Sequence, residues 1–360
     1  MRAALLRATG ARLDVRDDVE LARSPGPGEV HIRVRATGLC GSDLSAQRGN
    51  YAIRLPALLG HEVAGEVVSV GDGVEHVVAG DHVILDDFSS CGKCPQCKSG
   101  KAGHCAFIAR HYKPKVYHRV DGEDVYSFNG IGGLAEELIF PGSGVVPIPK
   151  DVPFDEAAIL GCGVMTGFGA ALNAVAIEPG SSVIVFGCGG VGMSALQGAR
   201  VRGASTIVAV DLAQEKLDLA IKLGATHAVF PDDLAAVAQK VHGGIGFDYA
   251  FEVVGRSKNV RAAWESVRRG GTVVVLGMGP ADDPWDLTSL EYVLGAKTLV
   301  GAMYGSGDAR VDFPRMLDLR AQGQLDLASL ITHRVGLDEI NEAFAEVAAG
   351  NAMRAVVEMP

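Results

Sequence analysis

Residues 183–192 read VIVFGCGGVG, and this stretch carries the strongest indication of how the second half of the chain folds. The first four residues predict a buried strand, and Gly187, Gly189 and Gly192 then form Gly-x-Gly-x-x-Gly before a helix that starts near Met193. The first glycine permits a tight turn, the second lets backbone approach a pyrophosphate, and the third allows close packing of helix on strand. The helix N-terminus faces the anion. The stretch, with Gly190, therefore predicts a dinucleotide-binding loop.

Asp211 follows the next predicted strand, Thr206 to Val210. A carboxylate at this place accepts hydrogen bonds from the ribose hydroxyls of the adenosine and repels a 2′-phosphate. The sequence therefore favours NAD over NADP. The alternative is an ordinary strand, turn and helix in which Asp211 is a solvated strand end.

The rest of the chain divides into two patterns. Further strands predicted at Tyr249 to Val254 and Thr272 to Leu276 alternate with helices, such as Ala213 to Leu223, which indicates an α/β domain with a parallel sheet. The first 150 or so residues carry short β-branched runs between glycine and proline turns, which indicates a β-rich domain. After a helix near 313–322, the apolar run 355–357 is expected to return to the first domain. A chain of 360 residues fits two such domains.

Composition excludes several classes of protein. The net charge of -10 includes no basic stripe, so nucleic acid is not expected as a partner. No apolar run approaches the roughly 18 residues that span a bilayer, and the N-terminus lacks the long apolar region of a signal peptide. We expect a cytoplasmic protein without a membrane partner. Seven cysteines, an odd number, point to reduced thiols that serve as ligands.

Four cysteines lie within fifteen residues, at Cys91, Cys94, Cys97 and Cys105. Four thiolates can close a tetrahedron around zinc and leave no position for water or substrate, so the spacing predicts a structural zinc site. Free or disulfide-paired cysteines and an iron–sulfur cluster are the alternatives.

Three other candidate ligands are separated in sequence but share flanking glycines: Cys40, His61 and Cys162. Glycines let backbones approach closely, which suits ligands that come from distant loops. Each residue alone is more often a buried hydrophobe or an ordinary loop residue. Two thiolates and one imidazole would leave one zinc position open, and an open position lets the metal act as a Lewis acid on a substrate oxygen.

Together these motifs resemble the zinc-containing medium-chain alcohol dehydrogenases over essentially the whole chain. The resemblance implies a GroES-like β-rich catalytic domain at 1–163 and 304–360, with a structural-zinc lobe at about 88–108. It implies a Rossmann domain with a doubly wound parallel sheet at 164–303, and an active site in the cleft.

The resemblance also implies roles for single residues. Cys40, His61 and Cys162 resemble the catalytic zinc ligands, Glu62 the carboxylate behind the metal, and Asp43 the partner that orients His61. Ser42 takes the place of the hydroxyl that receives the alcohol proton. The cofactor contacts implied by the resemblance are Thr166 and Val191 behind the nicotinamide, Lys216 at the adenosine ribose, Arg256 in a cofactor-lining segment and Arg354 at the pyrophosphate.

Four positions depart from the family pattern. Gly41 stands where a basic or polar group is frequent, and Ser45 where many members carry the histidine of the proton relay. Asp87 occupies a loop position that is commonly aromatic, and Asn129 lies in another loop expected to line the pocket. The last two indicate a more polar substrate pocket.

The sequence thus predicts a zinc-dependent enzyme, with two zinc ions per subunit, that transfers hydride between an alcohol and NAD, with an aldehyde or ketone in the reverse direction. The resemblance also implies a homodimer or homotetramer. Three alternatives stay open: oxidation of a glutathione or mycothiol adduct of formaldehyde, polyol dehydrogenation, and a non-catalytic NAD-binding zinc protein.

Overall fold

The computed structural model describes residues 1–107, 113, 115–280 and 282–360. The strands are β1 Ala3–Leu6, β2 Asp14–Arg16, β3 Glu20–Leu21, β4 Glu29–Leu39, β5 Ala57–Leu58, β6 Glu62–Val70, β7 His82–Leu85, β8 Lys115–Val120, β9 Glu123–Ser127, β10 Glu137–Pro141, β11 Val145–Ile148, β12 Ser182–Phe186, β13 Thr206–Val210, β14 His227–Val229, β15 Phe247–Glu252, β16 Val267–Val275, β17 Thr298–Gly301, β18 Ile331–Val335 and β19 Arg354–Glu358. The α-helices are α1 Gly41–Gln47, α2 Pro95–Lys98, α3 Phe154–Ile159, α4 Met165–Gly169, α5 Gly190–Val201, α6 Gln214–Leu223, α7 Leu234–His242, α8 Ser257–Ser266, α9 Ser289–Gly295, α10 Ala309–Ala321 and α11 Ile340–Ala349.

The chain forms two compact units. The first comprises Met1–Cys162, Asp308–Arg315 and Leu327–Pro360, and the second comprises Gly163–Gly307 and Met316–Asp326. The change of unit directly after Cys162 leaves that cysteine in the first unit, with Cys40 and His61.

The second unit is built on a six-stranded sheet in the order β14-β13-β12-β15-β16-β17, and each pair of neighbours is parallel. Numbered from its first strand, this order is 3-2-1-4-5-6, which is that of the Rossmann fold. The predicted parallel sheet is therefore confirmed. All five residues of β12 are buried, as expected for a central parallel strand that is covered on both faces. The predicted helix before Gly224 is also confirmed, and Gly224 ends it with φ 113°.

The first unit contains two mixed sheets, and each has one parallel pair, β5 with β9 in one sheet and β18 with β19 in the other. One has the order β2-β1-β5-β9-β8-β3, and the other the order β11-β7-β6-β4-β19-β18, with β10 also paired to β4. Buried and half-buried residues alternate along most of β4, so one face of the strand packs into the core. The C-terminal strand β19 pairs antiparallel with β4 at Val357 and Thr37, which places the end of the chain in this first unit.

One helical stretch, Phe154–Ala174, is apolar and long enough to cross a membrane by length and composition alone. Sequence reasoning misses this stretch because Asp155, Glu156 and Asn173 interrupt its apolar residues. Its most apolar window is 78% buried inside the protein, which is typical of a core helix.

His118 on β8 makes the first unit sensitive to acid. Its side chain is fully buried, Nε2 donates to the Glu137 carbonyl at 2.8 Å, and Nδ1 has no partner within the described residues. Burial lowers the pKa of His118 to about 4, below its unfolded value, so the unfolded chain takes up the proton first as the pH falls. The His118 contribution to the free energy of unfolding should therefore decrease by about 2 kcal/mol between about pH 7.5 and pH 5.

Urea unfolding of the protein and of His118→Gln at both pH values measures this contribution. The glutamine keeps a donor for the Glu137 carbonyl but does not titrate, so it should remove that part of the pH dependence. If the free energy of unfolding decreases equally in both proteins on acidification, His118 is not the source of that decrease.

Candidate active site and metal centres

The candidate catalytic group is organised around the Asp43 carboxylate at the start of α1. Its Oδ2 accepts the Cys40 backbone N–H at 3.0 Å, and its Oδ1 accepts the Gly60 N–H at 2.9 Å and lies 3.1 Å from His61 Nδ1. An ionised carboxylate only accepts hydrogen bonds, so Nδ1 carries a proton, and in the neutral form of the imidazole Nε2 presents its lone pair. His61 Nε2 is buried and has no hydrogen-bond partner within the described residues. Such a nitrogen is available to a ligand.

Burial alone would lower the pKa of His61, but the carboxylates of Asp43 and Asp87 outweigh this effect and hold it well above the usual value. The edge of the His61 ring meets the Phe128 ring, with centroids 5.8 Å apart and planes at 79°. The imidazole is thus fixed by a carboxylate on one side and by an aromatic ring on another.

Cys40 and Cys162 bring two thiols to the same place. The hydrogen bond to Cys162 lowers the pKa of Cys40 well below the usual value for a thiol, and the same contact raises the pKa of Cys162 well above it. One potential ligand atom from each of Cys40, His61, Glu62 and Cys162 lies within 4.8 Å of the others. Two sulfurs, a carboxylate oxygen and a free imidazole nitrogen suit zinc, so these residues fit the metal that the sequence predicts.

Glu62 has a buried cationic partner as well. Arg354 on β19 pairs with the Glu62 carboxylate, and both residues are almost fully buried. A Cβ atom at Gly38 would lie 2.1 Å from Glu62 Oε2, so only glycine at that position leaves room for the carboxylate. Arg354, which the resemblance places at the cofactor pyrophosphate, lies in the first unit and neutralises Glu62 there.

The remaining predicted residues of this group surround it. Ser42 lies on α1 with its Oγ 4.0 Å from Cys40 Sγ, and Ser45 is half-buried on the same helix. Asp87 is buried and accepts a hydrogen bond from Asn129 Nδ2 at 3.0 Å. Gly41 is exposed at the first position of α1.

The four-cysteine group forms a second cluster, built around the short helix α2. All four cysteines are free, and their sulfurs lie within 4.8 Å of one another. Cys91 Sγ lies 3.9 Å from Cys97 Sγ, and Cys94 Sγ lies 3.5 Å from the same atom. Tetrahedral zinc with Zn–S bonds of about 2.3 Å separates its sulfurs by about 3.8 Å. These distances are too long for disulfide bonds in this structure, and they suit a single metal ion better than a larger iron–sulfur cluster.

Backbone N–H groups stabilise negative charge on this cluster. The N–H groups of Lys93 and Cys94 each donate to Cys91 Sγ at 3.4 Å, and backbone hydrogen bonds lower the pKa of Cys94 to about 6. Burial and the thiol of Cys94 raise the pKa of Cys97 to about 11. Cysteine binds zinc as the thiolate, which the lowered pKa favours at Cys94.

The glycine loop of the second unit has the shape that its sequence predicts. Gly187 takes φ +94°, and a Cβ atom at Gly192 would lie 1.8 Å from the Gly187 carbonyl oxygen. A Cβ atom at Gly189 would meet nothing within 4 Å, so space remains beside this part of the loop. Gly189 is the N-cap of the twelve-residue helix α5 and supplies no side-chain cap for its first N–H groups. The loop therefore offers room and backbone donors to a pyrophosphate.

Asp211 is tied to this loop. Its Oδ2 accepts the Cys188 N–H at 2.6 Å, and its Oδ1 accepts the N–H groups of Leu212 and Ala213 at 2.8 and 3.1 Å. Lys216 on α6 acts electrostatically on Cys188, so it also lies near the loop. The acidic residue and the glycine loop thus share one end of the sheet.

The other predicted cofactor residues of this unit lie on neighbouring elements. A Cβ atom at Gly167 would lie 2.0 Å from the Val191 carbonyl oxygen, so α4, which carries Thr166, packs tightly against the start of α5. Arg256 is exposed at the N-cap of α8.

Sequence reasoning misses residues that support these sites. Arg310 Nη2 donates to Ser90 Oγ at 3.0 Å beside the cysteine cluster, although the two residues are 220 positions apart. The buried Glu252 accepts the N–H groups of Val254 and Gly255 at 2.8 and 2.9 Å and so fixes the turn after β15. The ring contact of Phe128 with His61 is a third such interaction. Glu252 lies in the cofactor-lining segment that includes Arg256, but its role in the turn is not visible in the sequence. Arg310 and Phe128 stand in no motif, so no signal in a single sequence marks them.

Comparison with known proteins agrees with this geometry. Residues 26–150 match the model of the alcohol dehydrogenase GroES-like domain, and residues 190–322 match that of the zinc-binding dehydrogenases. The chain is 34% identical to alcohol dehydrogenase 1 of Pisum sativum, over 99% of this chain and 97% of the relative. It is also 34% identical to S-(hydroxymethyl)glutathione dehydrogenase of Paracoccus denitrificans, over 99% of both proteins.

Among solved structures, benzyl alcohol dehydrogenase from Acinetobacter calcoaceticus superposes with a TM-score of 0.92 at 31% identity, covering 100% of this chain and 99% of the other. The chain belongs to the zinc-containing alcohol dehydrogenases of the medium-chain dehydrogenase/reductase superfamily, and it is an oxidoreductase. The predicted family, the GroES-like domain and the enzymatic class are thereby confirmed.

Proposed function

We propose that this protein is an NAD-dependent alcohol dehydrogenase that holds two zinc ions per subunit, one catalytic and one structural. The observation that carries the proposal is the buried Nε2 of His61, which has no hydrogen-bond partner in the part of the chain that the structure describes and belongs to a group with Cys40, Glu62 and Cys162. A buried nitrogen without a partner costs free energy, which a bound ligand would recover. The all-cysteine cluster supports the second, structural ion.

At the catalytic group, Cys40, His61 and Cys162 would hold the zinc ion, and Glu62 would lie behind it. When bound, the ion supplies Lewis acidity that stabilises negative charge on the substrate oxygen. Asp43 holds the proton on His61 Nδ1 and so keeps Nε2 available. Arg354 balances the charge of Glu62. Ser42 Oγ lies next to Cys40 and would accept the proton of the alcohol while it releases its own hydroxyl proton to solvent water.

In the second unit, the N–H groups at the start of α5 would bind the pyrophosphate of the cofactor. Asp211 would accept hydrogen bonds from the adenosine ribose hydroxyls, which favours NAD over NADP. Lys216 and Arg256 would make further contacts with the cofactor. Thr166 and Val191 would back the nicotinamide. NAD supplies the hydride chemistry, and the protein orients the cofactor and excludes water.

Oxidation of a thiol adduct is the second candidate function. It is favoured by the equal identity, 34%, to an alcohol dehydrogenase and to an S-(hydroxymethyl)glutathione dehydrogenase. NADH formation from formaldehyde with and without glutathione or mycothiol separates the two candidates, since only the adduct activity requires the thiol.

Elemental analysis together with NADH formation tests the proposal. We expect two zinc ions per chain and turnover of at least one primary or secondary alcohol, with NAD used in preference to NADP. One zinc ion per chain and no turnover of any alcohol would contradict the catalytic assignment and leave a structural or sensory protein.

The proposal includes a homo-oligomer in the cytoplasm. All seven cysteines are free, as in a reducing compartment. Strand β17 is the last strand of its sheet, and the neighbouring helix α9 exposes Leu290, Val293 and Leu294 by 67%, 72% and 59%. An unpaired edge beside exposed apolar side chains suits a second copy of the same sheet.

Val293→Glu should therefore convert the oligomer into a monomer, because it places a charge within an apolar contact. Val311→Glu is the matched control, since Val311 is 64% exposed on α10 in the first unit. Sedimentation velocity measures both variants. A wild-type protein that sediments as a monomer, or two variants that behave alike, would contradict this interface.

A further inference from the structure

Asp87 is a buried carboxylate that the proposed mechanism does not use. Its side chain is 7% exposed, and within the described residues the only hydrogen bond it accepts comes from Asn129 Nδ2, at 3.0 Å. The hydrogen-bond partner of the Asp87 carboxylate is therefore a neutral amide, whereas the buried Glu62 carboxylate pairs with the positively charged Arg354. A buried carboxylate with a neutral partner is less favourable than an apolar side chain of similar size. Packing alone does not explain an aspartate at this position.

Three observations place the pair beside the catalytic group. The Asp87 carboxylate acts electrostatically on His61, Cys40 and Cys162, although it is outside the set of mutually close ligand atoms. Phe128, adjacent to Asn129, packs on the His61 ring. A Cβ atom at Gly161 would meet Leu85, two residues before Asp87, at 3.4 Å. Asp87 and Asn129 therefore lie beside the candidate zinc ligands without belonging to that set.

The two remaining oxygen atoms of this pair are both acceptors. Because an ionised Asp87 only accepts hydrogen bonds, the Asn129 amide is oriented with its nitrogen toward Asp87, and within the described residues Asp87 Oδ2 and Asn129 Oδ1 then have no donor. Asn129 has φ 51°, a left-handed conformation that asparagine adopts more readily than most other residues with a side chain.

We infer that Asp87 and Asn129 select alcohols that carry a second hydrogen-bond donor, a hydroxyl or an ammonium group, near the carbon that is oxidised. The inference rests on the proposed function, and it names the substrate class. Unsubstituted alkanols would leave both acceptors unpaired, and hydroxy acids would place a second carboxylate beside Asp87. Sites built to bind a donor discriminate against analogues that lack it.

Isosteric substrates test this selection through kcat/KM. Ethylene glycol, ethanolamine and 1-propanol differ only in their terminal hydroxyl, amino or methyl group, and glycolate carries a carboxylate directly on its carbinol carbon. The wild-type protein should prefer ethylene glycol and ethanolamine to 1-propanol by at least about tenfold and should reject glycolate. If the preferred hydrogen-bond donor lies farther from the reacting carbon, longer diols compared with alkanols of equal length will show the preference.

Two variants of Asp87 predict different patterns. Asp87→Leu should abolish the preference for the diol, so that the ratio of kcat/KM for ethylene glycol to kcat/KM for 1-propanol falls to about one or below. Asp87→Asn turns the free acceptor into a donor, so ethanolamine should lose its advantage, glycolate should gain, and the diol, which both donates and accepts, should be retained. Asp232→Asn is the control, since Asp232 is exposed in the second unit.

A binding measurement keeps the inference testable without turnover. Glycolamide and propionamide also differ in one hydroxyl against one methyl group, and saturation-transfer NMR compares their affinities for the zinc-loaded protein. We expect glycolamide to bind more tightly to the wild type and the difference to vanish in Asp87→Leu. If alcohols are oxidised but the alkanol is preferred in the wild type and in Asp87→Leu alike, the inference is wrong while the proposed function stands. If no alcohol is oxidised, the proposed function fails, and equal binding of the two amides would overturn the inference as well.

Discussion

Cys40→Ser should lower kcat for every alcohol by roughly a thousandfold or more, while the affinity for NAD stays within a factor of about two. The reason is that Cys40 is the thiol of lowered pKa in the catalytic group, and its hydrogen bond to Cys162 organises both sulfurs. Serine is close in size but is a poorer zinc ligand than a thiolate. The glycine loop lies in the other unit and is unchanged by the substitution.

Elemental analysis and NADH fluorescence titration check this expectation alongside the rate. The variant should lose one zinc ion per chain and keep the one held by the four-cysteine cluster. Wild-type turnover by a Cys40→Ser protein that has lost one zinc ion would show that the catalytic group is not where alcohol reacts.

Two glycine substitutions three residues apart should have effects of different kinds. A Cβ atom at Gly192 would lie 1.8 Å from the Gly187 carbonyl oxygen, so Gly192→Ala forces strand and helix apart and should destabilise the second unit by several kcal/mol. A Cβ atom at Gly189 meets nothing within 4 Å, and Gly189 has an extended backbone that alanine can adopt. Gly189→Ala should therefore fold normally.

Gly189→Ala should nevertheless weaken NAD binding by at least about a hundredfold, because the alanine methyl group would occupy the space that the pyrophosphate needs. Thermal unfolding and NADH titration separate the two effects. Normal NAD affinity in Gly189→Ala would contradict the assignment of this loop to the cofactor, and a fully stable Gly192→Ala would contradict the tight turn.

The sequence predicts those parts of the protein in which the chemistry lies in neighbouring residues. Short segments contain the strand, the glycine loop after it and the four cysteines. A tight turn with close backbone approach requires glycine, and a sulfur-ligated metal site requires cysteine, so the residue types identify these features. The helix before Gly224 is predictable for the same reason. Cys40, His61 and Cys162 are recognisable through their flanking glycines, but only the family resemblance groups them.

Contacts between distant segments account for what sequence reasoning misses. Arg354 pairs with Glu62 across 292 positions, and Arg310 reaches Ser90 across 220. Such pairs depend on the order of strands in a sheet, which no local pattern encodes. The resemblance places Arg354 at the pyrophosphate, which stays a prediction, and it does not include the pairing of Arg354 with the buried Glu62 carboxylate. The hydrogen bond between Asp87 and Asn129 similarly turns two unusual residues into one pair of acceptors.

The most direct test of the central claim is the rate of NADH formation from an oxidisable alcohol before zinc removal, after removal by a chelator, and after zinc is added back. We expect the activity to disappear with the metal and to return with it in the wild type, and Cys40→Ser to stay inactive at every stage. NADH formation at an undiminished rate by the zinc-free wild-type protein would contradict the claim that Cys40, His61, Glu62 and Cys162 form a catalytic metal centre.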